Sequence, residues 1–184
     1  MNIRTATEKD AAAIAAIYRP YVEHTAITFE LEPPDAAEMA RRIASCLPRY
    51  PWLVAEEQGR IAGYAYVSAF KSRAAYDWSV ETSIYVESDS RGKGTGRKLY
   101  EALEAILTAM GITNVNACIA VISQPDPYLD NASVHFHQHL GYHLIGTFHE
   151  CASKFGRWYD MCWMEKHIGG HSQDPRPVTW FADL

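Results

Sequence analysis

Six residues, Arg91-Gly-Lys-Gly-Thr-Gly96, constrain this chain more than any other stretch. They follow an alternating apolar run at 78–87 and precede a helical stripe, so they read as a turn between a strand and a helix. Three alternating glycines let the backbone come close to a ligand. Their N–H groups join the free donors of the first helical turn and together make an anion site. Arg91, Lys93, Arg97 and Lys98 crowd the same turn, in a chain whose net charge is -5. A flexible basic turn before a solvated helix is the plainer alternative. Two nucleotide motifs do not fit. No Lys-Ser or Lys-Thr follows a second glycine as in a phosphate-binding loop, and the glycine spacing is not that of a dinucleotide fold.

The remaining pattern predicts an α+β domain with a mixed sheet. Asn2 to Thr5 is a short strand, and Thr7-x-x-Asp10 opens a helix carrying Ile14, Ile17 and Tyr18. Asp35 opens a second helix with Met39, Ile43 and Leu47 on its stripe, ended by Pro48 and Pro51. Trp52–Glu56 and Ile61–Ala69 form a hairpin around Gln58-Gly59. In the strand Trp78–Glu87, Val80, Thr82, Ile84 and Val86 share one face, and Glu81, Ser83 and Tyr85 the other. A helix from Gly94 to Met110 stops at Gly111. A strand Val115–Ile122, a short helix Asn131–Leu140, and strands Tyr142–Phe155 and Trp158–Glu165 follow. This order is no regular βαβ repeat.

A chain of 184 residues suggests one domain, large enough to bury a core without disulfide or metal staples. With 48% hydrophobic and 21% charged residues it is neither disordered nor a coiled coil. The acidic balance argues against nucleic acid. Residues 1–168 read as the domain, and 169–184, with two prolines, as an extended tail whose Trp180 and Phe181 dock on something apolar. Cys46, Cys118, Cys151 and Cys162 match no zinc spacing and read as reduced thiols. No signal core and no apolar span are visible, so a cytoplasmic protein without membrane contact is expected.

Arg91-x-x-Gly94-x-Gly96 after a long strand resembles the coenzyme A pyrophosphate motif of the GNAT N-acetyltransferase superfamily. Tyr50-Pro-Trp-Leu-Val-Ala-Glu56, Lys71-x-Arg73-x-x-Tyr76-Asp-Trp78 and Glu81-x-x-x-Tyr85-Val86 are similar to the phosphinothricin acetyltransferase family within it. So are Ser133-Val134, His137, Leu140-Gly141-Tyr142 and Lys154-x-Gly-x-Trp158. The resemblance covers residues 2–166 and implies a GNAT fold that binds acetyl-CoA. The donor would lie against Arg91, Gly92, Lys93, Gly94, Thr95, Gly96 and Arg97. Its thioester oxygen would meet a backbone N–H of the strand around Ile84, Tyr85 and Val86. Asn131 would bond the pantetheine arm, with helix N-capping as the alternative.

Amine acetylation needs a base, because free amines are mostly protonated at neutral pH. Glu81, mid-strand in an apolar run, is the first candidate, and the resemblance puts the catalytic carboxylate there. His137 is the second, because relatives place a functional histidine at this position. His135, His137 and His139 would share a face only on a strand. On the expected helix, positions i and i+2 lie about 200° apart, so no metal site is expected. Cys118 is mid-strand without a base, which argues against a covalent route. Lys71 and Arg73 suit an anionic acceptor, with a solvated loop as the alternative, and the resemblance implies that with Tyr76 they hold the head group of phosphinothricin, methionine sulfone or methionine sulfoximine; Phe29 and Tyr85 read as pocket walls or as core. Three departures fall where selectivity is set: a longer loop at 124–130, Ser123 for a glycine, and Met161 for a valine. Another amine, or a non-catalytic acyl-CoA-binding module, is the alternative function. Many relatives are dimers, and Trp158, Trp163, Trp180 and Phe181 are compatible with a homodimer interface here.

Overall fold

The computed structural model describes residues 1–184. Seven strands form one sheet, β1 (Asn2–Thr5), β2 (Trp52–Glu57), β3 (Arg60–Ala69), β4 (Ser79–Val86), β5 (Asn114–Val121), β6 (His143–Lys154) and β7 (Arg157–His167), in the order β1-β2-β3-β4-β5-β7-β6. The helices are α1 (Ala11–His24), α2 (Ala36–Cys46), α3 (Thr95–Met110) and α4 (Ala132–His139). This is the mixed α+β architecture expected from the pattern.

Helices cover both faces of the sheet, and each face has its own core. On one, Leu99, Leu103 and Leu107 of α3 are fully buried against Val80, Val115 and Met164. Truncating any of these leucines to alanine typically costs about 2–5 kcal/mol. On the other, Ile14, Tyr18, Tyr21, Met39 and Ile43 of α1 and α2 pack on Trp52, Val54 and Tyr64. Asp35 caps α2 by accepting from the Glu38 N–H at 2.7 Å. The start of α1 differs from expectation. Thr7 and Asp10 do bond reciprocally, but they bracket a single 3-10 turn, Glu8–Asp10, before the α-helix begins at Ala11. Asp10 is drawn to Arg4 by two 2.8 Å bonds, a tertiary contact that no local spacing reveals.

Strands β4 and β5 are parallel and pair over three positions only, ending at Glu81 opposite Asn116. Beyond that point β4 stays with β3 as far as Val86, while β5 stays with β7 as far as Val121. Each strand keeps its own antiparallel partner, so the two diverge and the sheet opens into a wedge. Residues after 168 run back over the core with Ile168, Val178, Trp180 and Phe181 packed on it. The Trp78 indole donates to the Arg176 carbonyl at 2.8 Å, and the N–H groups of Thr179 and Phe181 donate to the carbonyls of Met110 and Arg49.

Candidate active site

The wedge brings together most of the residues singled out in the sequence, and β4 divides it. Val80, Thr82 and Ile84 look toward α3, and Ile84 packs on the α3 core. Tyr85 looks the other way, edge-on to Tyr18 and Tyr21 and tilted on Tyr64. Glu81 and Ser83 share its side by strand alternation. The N–H of Glu87 is donated to Ala62 on β3, and that of Val86 to Tyr21 on the opposite side. The Ile84 N–H therefore points into the gap that β5 has left.

On the α3 side a cleft of about 410 Å³ runs from the glycine turn to the wedge. Ile84, Val86, Arg91, Gly92, Gly94, Thr95, Gly96 and Arg97, which the resemblance puts against the donor, line it. Gly94 caps α3 in the left-handed region (φ 81°) and so turns the first-turn N–H groups outward. Gly96 is needed for space, since a Cβ there would stand 3.0 Å from Phe136 Cζ and 3.4 Å from Ile84 Cδ1. The Thr95 hydroxyl donates to the Ser90 carbonyl at 3.2 Å and ties the start of α3 to the 3-10 turn Ser88–Ser90 that follows β4. None of Arg91, Lys93, Arg97 and Lys98 is paired with a carboxylate. Four uncompensated cations around a helix N-terminus fit a pyrophosphate.

The structure departs from several expectations. Lys93 flanks the cleft without lining it, and Tyr85 lines only the deep end of the wedge. Asn131 stands at the N-cap position of α4, but its side chain makes no capping bond and does not line the cleft. Its amide donates to the Ile122 carbonyl at 2.9 Å and accepts the Ile122 N–H at 3.1 Å, so both ends are spent clamping the end of β5. Tyr21 was missed. Its phenol donates to the Val86 carbonyl at 2.6 Å and accepts from the Val86 N–H at 3.1 Å, and the Arg91 guanidinium lies 5.0 Å over its ring. Ser133 and Phe136 were also missed as cleft residues, although Ser133, Phe136, His137 and Leu140 fall at helical spacing and share a face.

At the deep end a cavity of about 50 Å³ lies between Thr82–Tyr85 of β4 and Ala117–Ala120 of β5, closed by Tyr100, Ser133 and His137. His137 is only 3% exposed. Its Nδ1 is 2.7 Å from the Ser133 carbonyl, which can only accept, so Nδ1 carries the proton. Nε2 therefore accepts from the Tyr100 phenol at 3.0 Å. Burial holds the imidazole pKa down to about 4. A neutral, doubly bonded ring of this kind is poorly placed to take a proton from an amine. Burial pushes the same property of the Glu81 carboxyl upward, with the Lys71 ammonium pulling the other way. The Cys118 thiol, on the Glu81 side, is held up to about 12 by its surroundings and the Glu81 charge, too high for a thiolate nucleophile.

The acceptor residues are more open. Lys71 is held over the rings of Phe70 and Trp163, at 4.7 and 5.6 Å, and its charge reaches Glu81. Arg73 and Tyr76 lie exposed on a short 3-10 turn. Phe29 is tilted on Tyr159 at 6.2 Å. Met161 sits on β7 opposite Ala120, and Ser123 is exposed at the end of β5. The longer loop is a built element. Asp126 accepts from Tyr128 N–H, Arg157 and Tyr159, and Tyr128 stacks on Phe155 at 4.3 Å. Its carbonyl accepts from the Ala26 N–H at 2.9 Å, so this loop braces the segment that carries Phe29.

Comparison with known proteins shows the family. The acetyltransferase (GNAT) domain profile matches residues 3–163. The chain is 35% identical to a phosphinothricin N-acetyltransferase of Streptomyces viridochromogenes, over 97% of this chain and 95% of that protein. It is 33% identical to an L-methionine sulfoximine/L-methionine sulfone acetyltransferase of Salmonella typhimurium, over 94% and 97%. Among solved structures, a phosphinothricin acetyltransferase of Sinorhizobium meliloti in complex with acetyl-CoA superposes with a TM-score of 0.85 at 35% identity, over 98% of this chain and 97% of that one.

Proposed function

The chain belongs to the GNAT acetyltransferase family, and from that membership we propose that it moves the acetyl group of acetyl-CoA to the amino group of a small amino-acid-like acceptor, with Glu81 as general base. One observation carries the proposal. Strand β4 leaves β5 immediately after Glu81, so a donor lying along Thr82, Ile84 and Val86 has its thioester at the gap and Glu81 on the opposite face.

In this reading the pyrophosphate lies on the N–H groups of Gly94–Arg97 with Arg91 and Arg97 beside it, and Lys93 adds charge from the rim. The pantetheine arm takes the place of the missing strand partner and the thioester oxygen meets the Ile84 N–H, with Val86 already engaged by Tyr21. Asn131 acts on the arm indirectly, by holding the wall at Ile122. The acceptor ammonium gives its proton to Glu81, directly or through one water, and the free amine attacks the thioester carbon. A raised carboxyl pKa brings Glu81 closer to the amine it must deprotonate. Lys71 and Arg73 hold the acceptor's anionic groups, and Phe29, Tyr76, Tyr85, Ser123 and Met161 shape its surroundings. His137 serves through Tyr100, as a positioning residue.

Residues 1–168 form the transferase domain in this proposal, with 169–184 a tail laid upon it. The working unit is a homodimer. Strand β6 is the outer strand of the sheet, and Leu144, Ile145, Phe148 and Trp158 are each more than half exposed on its hairpin, more apolar surface than an isolated edge tolerates. The cytoplasm is the proposed location, since acetyl-CoA is available there and four unpaired thiols remain reduced.

The test is acetyl-CoA-dependent thiol release with phosphinothricin, methionine sulfone, methionine sulfoximine, spermidine and an aminoglycoside. Turnover with the first three and not the cationic amines is expected, because Lys71 and Arg73 repel polycations. Glu81→Gln should lower kcat about 10²–10⁴-fold without changing acetyl-CoA binding. Full turnover in this variant would remove Glu81 as the base.

A further inference from the structure

The side chain of Thr82 is 5% exposed, and its hydroxyl has no hydrogen-bond partner. A buried hydroxyl left unpaired costs about 1–3 kcal/mol, and native proteins keep few of them. The Tyr100 phenol lies close to it, but the phenol proton is donated to His137 and no hydrogen bond of proper geometry joins the two hydroxyls. Thr82 borders the 50 Å³ cavity at the deep end of the wedge. It stands one alternate position further in than Ile84, on the cleft face of β4. In the acetyl-transfer reading above, a pantetheine arm entering along Val86 and Ile84 has its sulfur at that level.

We propose that Thr82 is a further catalytic residue, whose hydroxyl donates a hydrogen bond to the sulfur of acetyl-CoA as the carbon–sulfur bond breaks. The inference rests on the acetyl-transfer reading above and adds the partner for the leaving group. The amine nitrogen bonds to the carbonyl carbon, and the C–S electron pair passes to sulfur. The ammonium gives one proton to Glu81 before attack, and the nitrogen loses its second proton to solvent by the same route as the amide forms. Coenzyme A departs as a thiolate that the Thr82 O–H has stabilised without transferring its own proton. No other side chain bordering this cavity has an unengaged polar atom buried in the same degree.

Thr82→Val keeps the shape and removes the hydroxyl. Kept only for packing, an orphan hydroxyl lost to valine would raise the melting temperature, by about 2–4 °C, and leave catalysis alone. Kept for the sulfur, the same change should also lower kcat about tenfold at unchanged KM for the acceptor, and Thr82→Ser should restore kcat. A readout without any acceptor separates this claim from the acetyl-transfer reading. The thiol of bound coenzyme A, followed by thiolate absorbance, should titrate about one pH unit lower in wild type than in Thr82→Val. Should valine prevent folding, Thr82→Ala gives the same two readings. Unchanged kcat together with unchanged thiol titration would overturn the proposal. Wild type inactive on every amine, but with the thiol difference intact, would overturn the acceptor reading and leave Thr82 at the sulfur.

Discussion

His137 ties the stability of this protein to pH in a calculable way. Its imidazole is neutral when folded, donating to the Ser133 carbonyl and accepting from Tyr100, with a pKa held down to about 4 by burial. Unfolded, it titrates near the ordinary value of about 6.5. The unfolded chain therefore binds the extra proton between those values, so stability is intact above pH 6.5 and falls as the pH drops toward 4. At about 1.36 kcal/mol per pH unit the full gap is worth about 3 kcal/mol, of which about 2 kcal/mol is lost between pH 7 and pH 5. Asp10, held down to about 2 by Arg4, acts in a lower window, losing its contribution only as the pH falls from about 4 toward 2. The assay is urea unfolding of wild type and His137→Gln at pH 7 and pH 5. The variant loses two buried hydrogen bonds and should be weaker at pH 7, by about 1–3 kcal/mol. Its profile should be flatter, so the gap to wild type narrows by about 2 kcal/mol at pH 5. Parallel profiles would refute the neutral, buried assignment. They would reopen His137 as a proton carrier.

Two further outcomes test other parts of the structure. Gly96→Ala places a methyl 3.0 Å from the Phe136 ring and should raise the KM for acetyl-CoA about tenfold with the acceptor KM unchanged, measured by initial rates. The Arg49 guanidinium lies 4.0 Å over Trp180 and 3.6 Å from Asp77, beside the turn that carries Tyr76. Trp180→Ala should cost about 1–3 kcal/mol in urea unfolding and raise the acceptor KM severalfold while sparing that of acetyl-CoA; equal effects on both substrates would sever the tail from the acceptor turn.

What the sequence could show was local. The two faces of β4 follow from strict alternation between Val80 and Val86, and alternation is a property of any extended chain. The anion turn follows from glycines and cations within eight residues, because helix ends leave their donors free whatever surrounds them. Strand and helix limits were legible at Asp35, Gly111, Gly141 and Gly156 for the same reason. The opening between β4 and β5 was not, since it depends on where two strands part company after Glu81 and Asn116, which are far apart in the chain. Nor was the fate of individual polar groups. Asn131 looked equally suited to capping and to ligand binding until Ile122 took both ends of its amide. Tyr21 carried no local signal, and its role follows from a phenol that meets Val86, 65 residues away. His137 read as a base until Tyr100 and Ser133 enclosed it. Sequence determined which groups this chain owns and which face each one takes. Only tertiary packing decided which of them are already bonded, and so which remain free for a substrate.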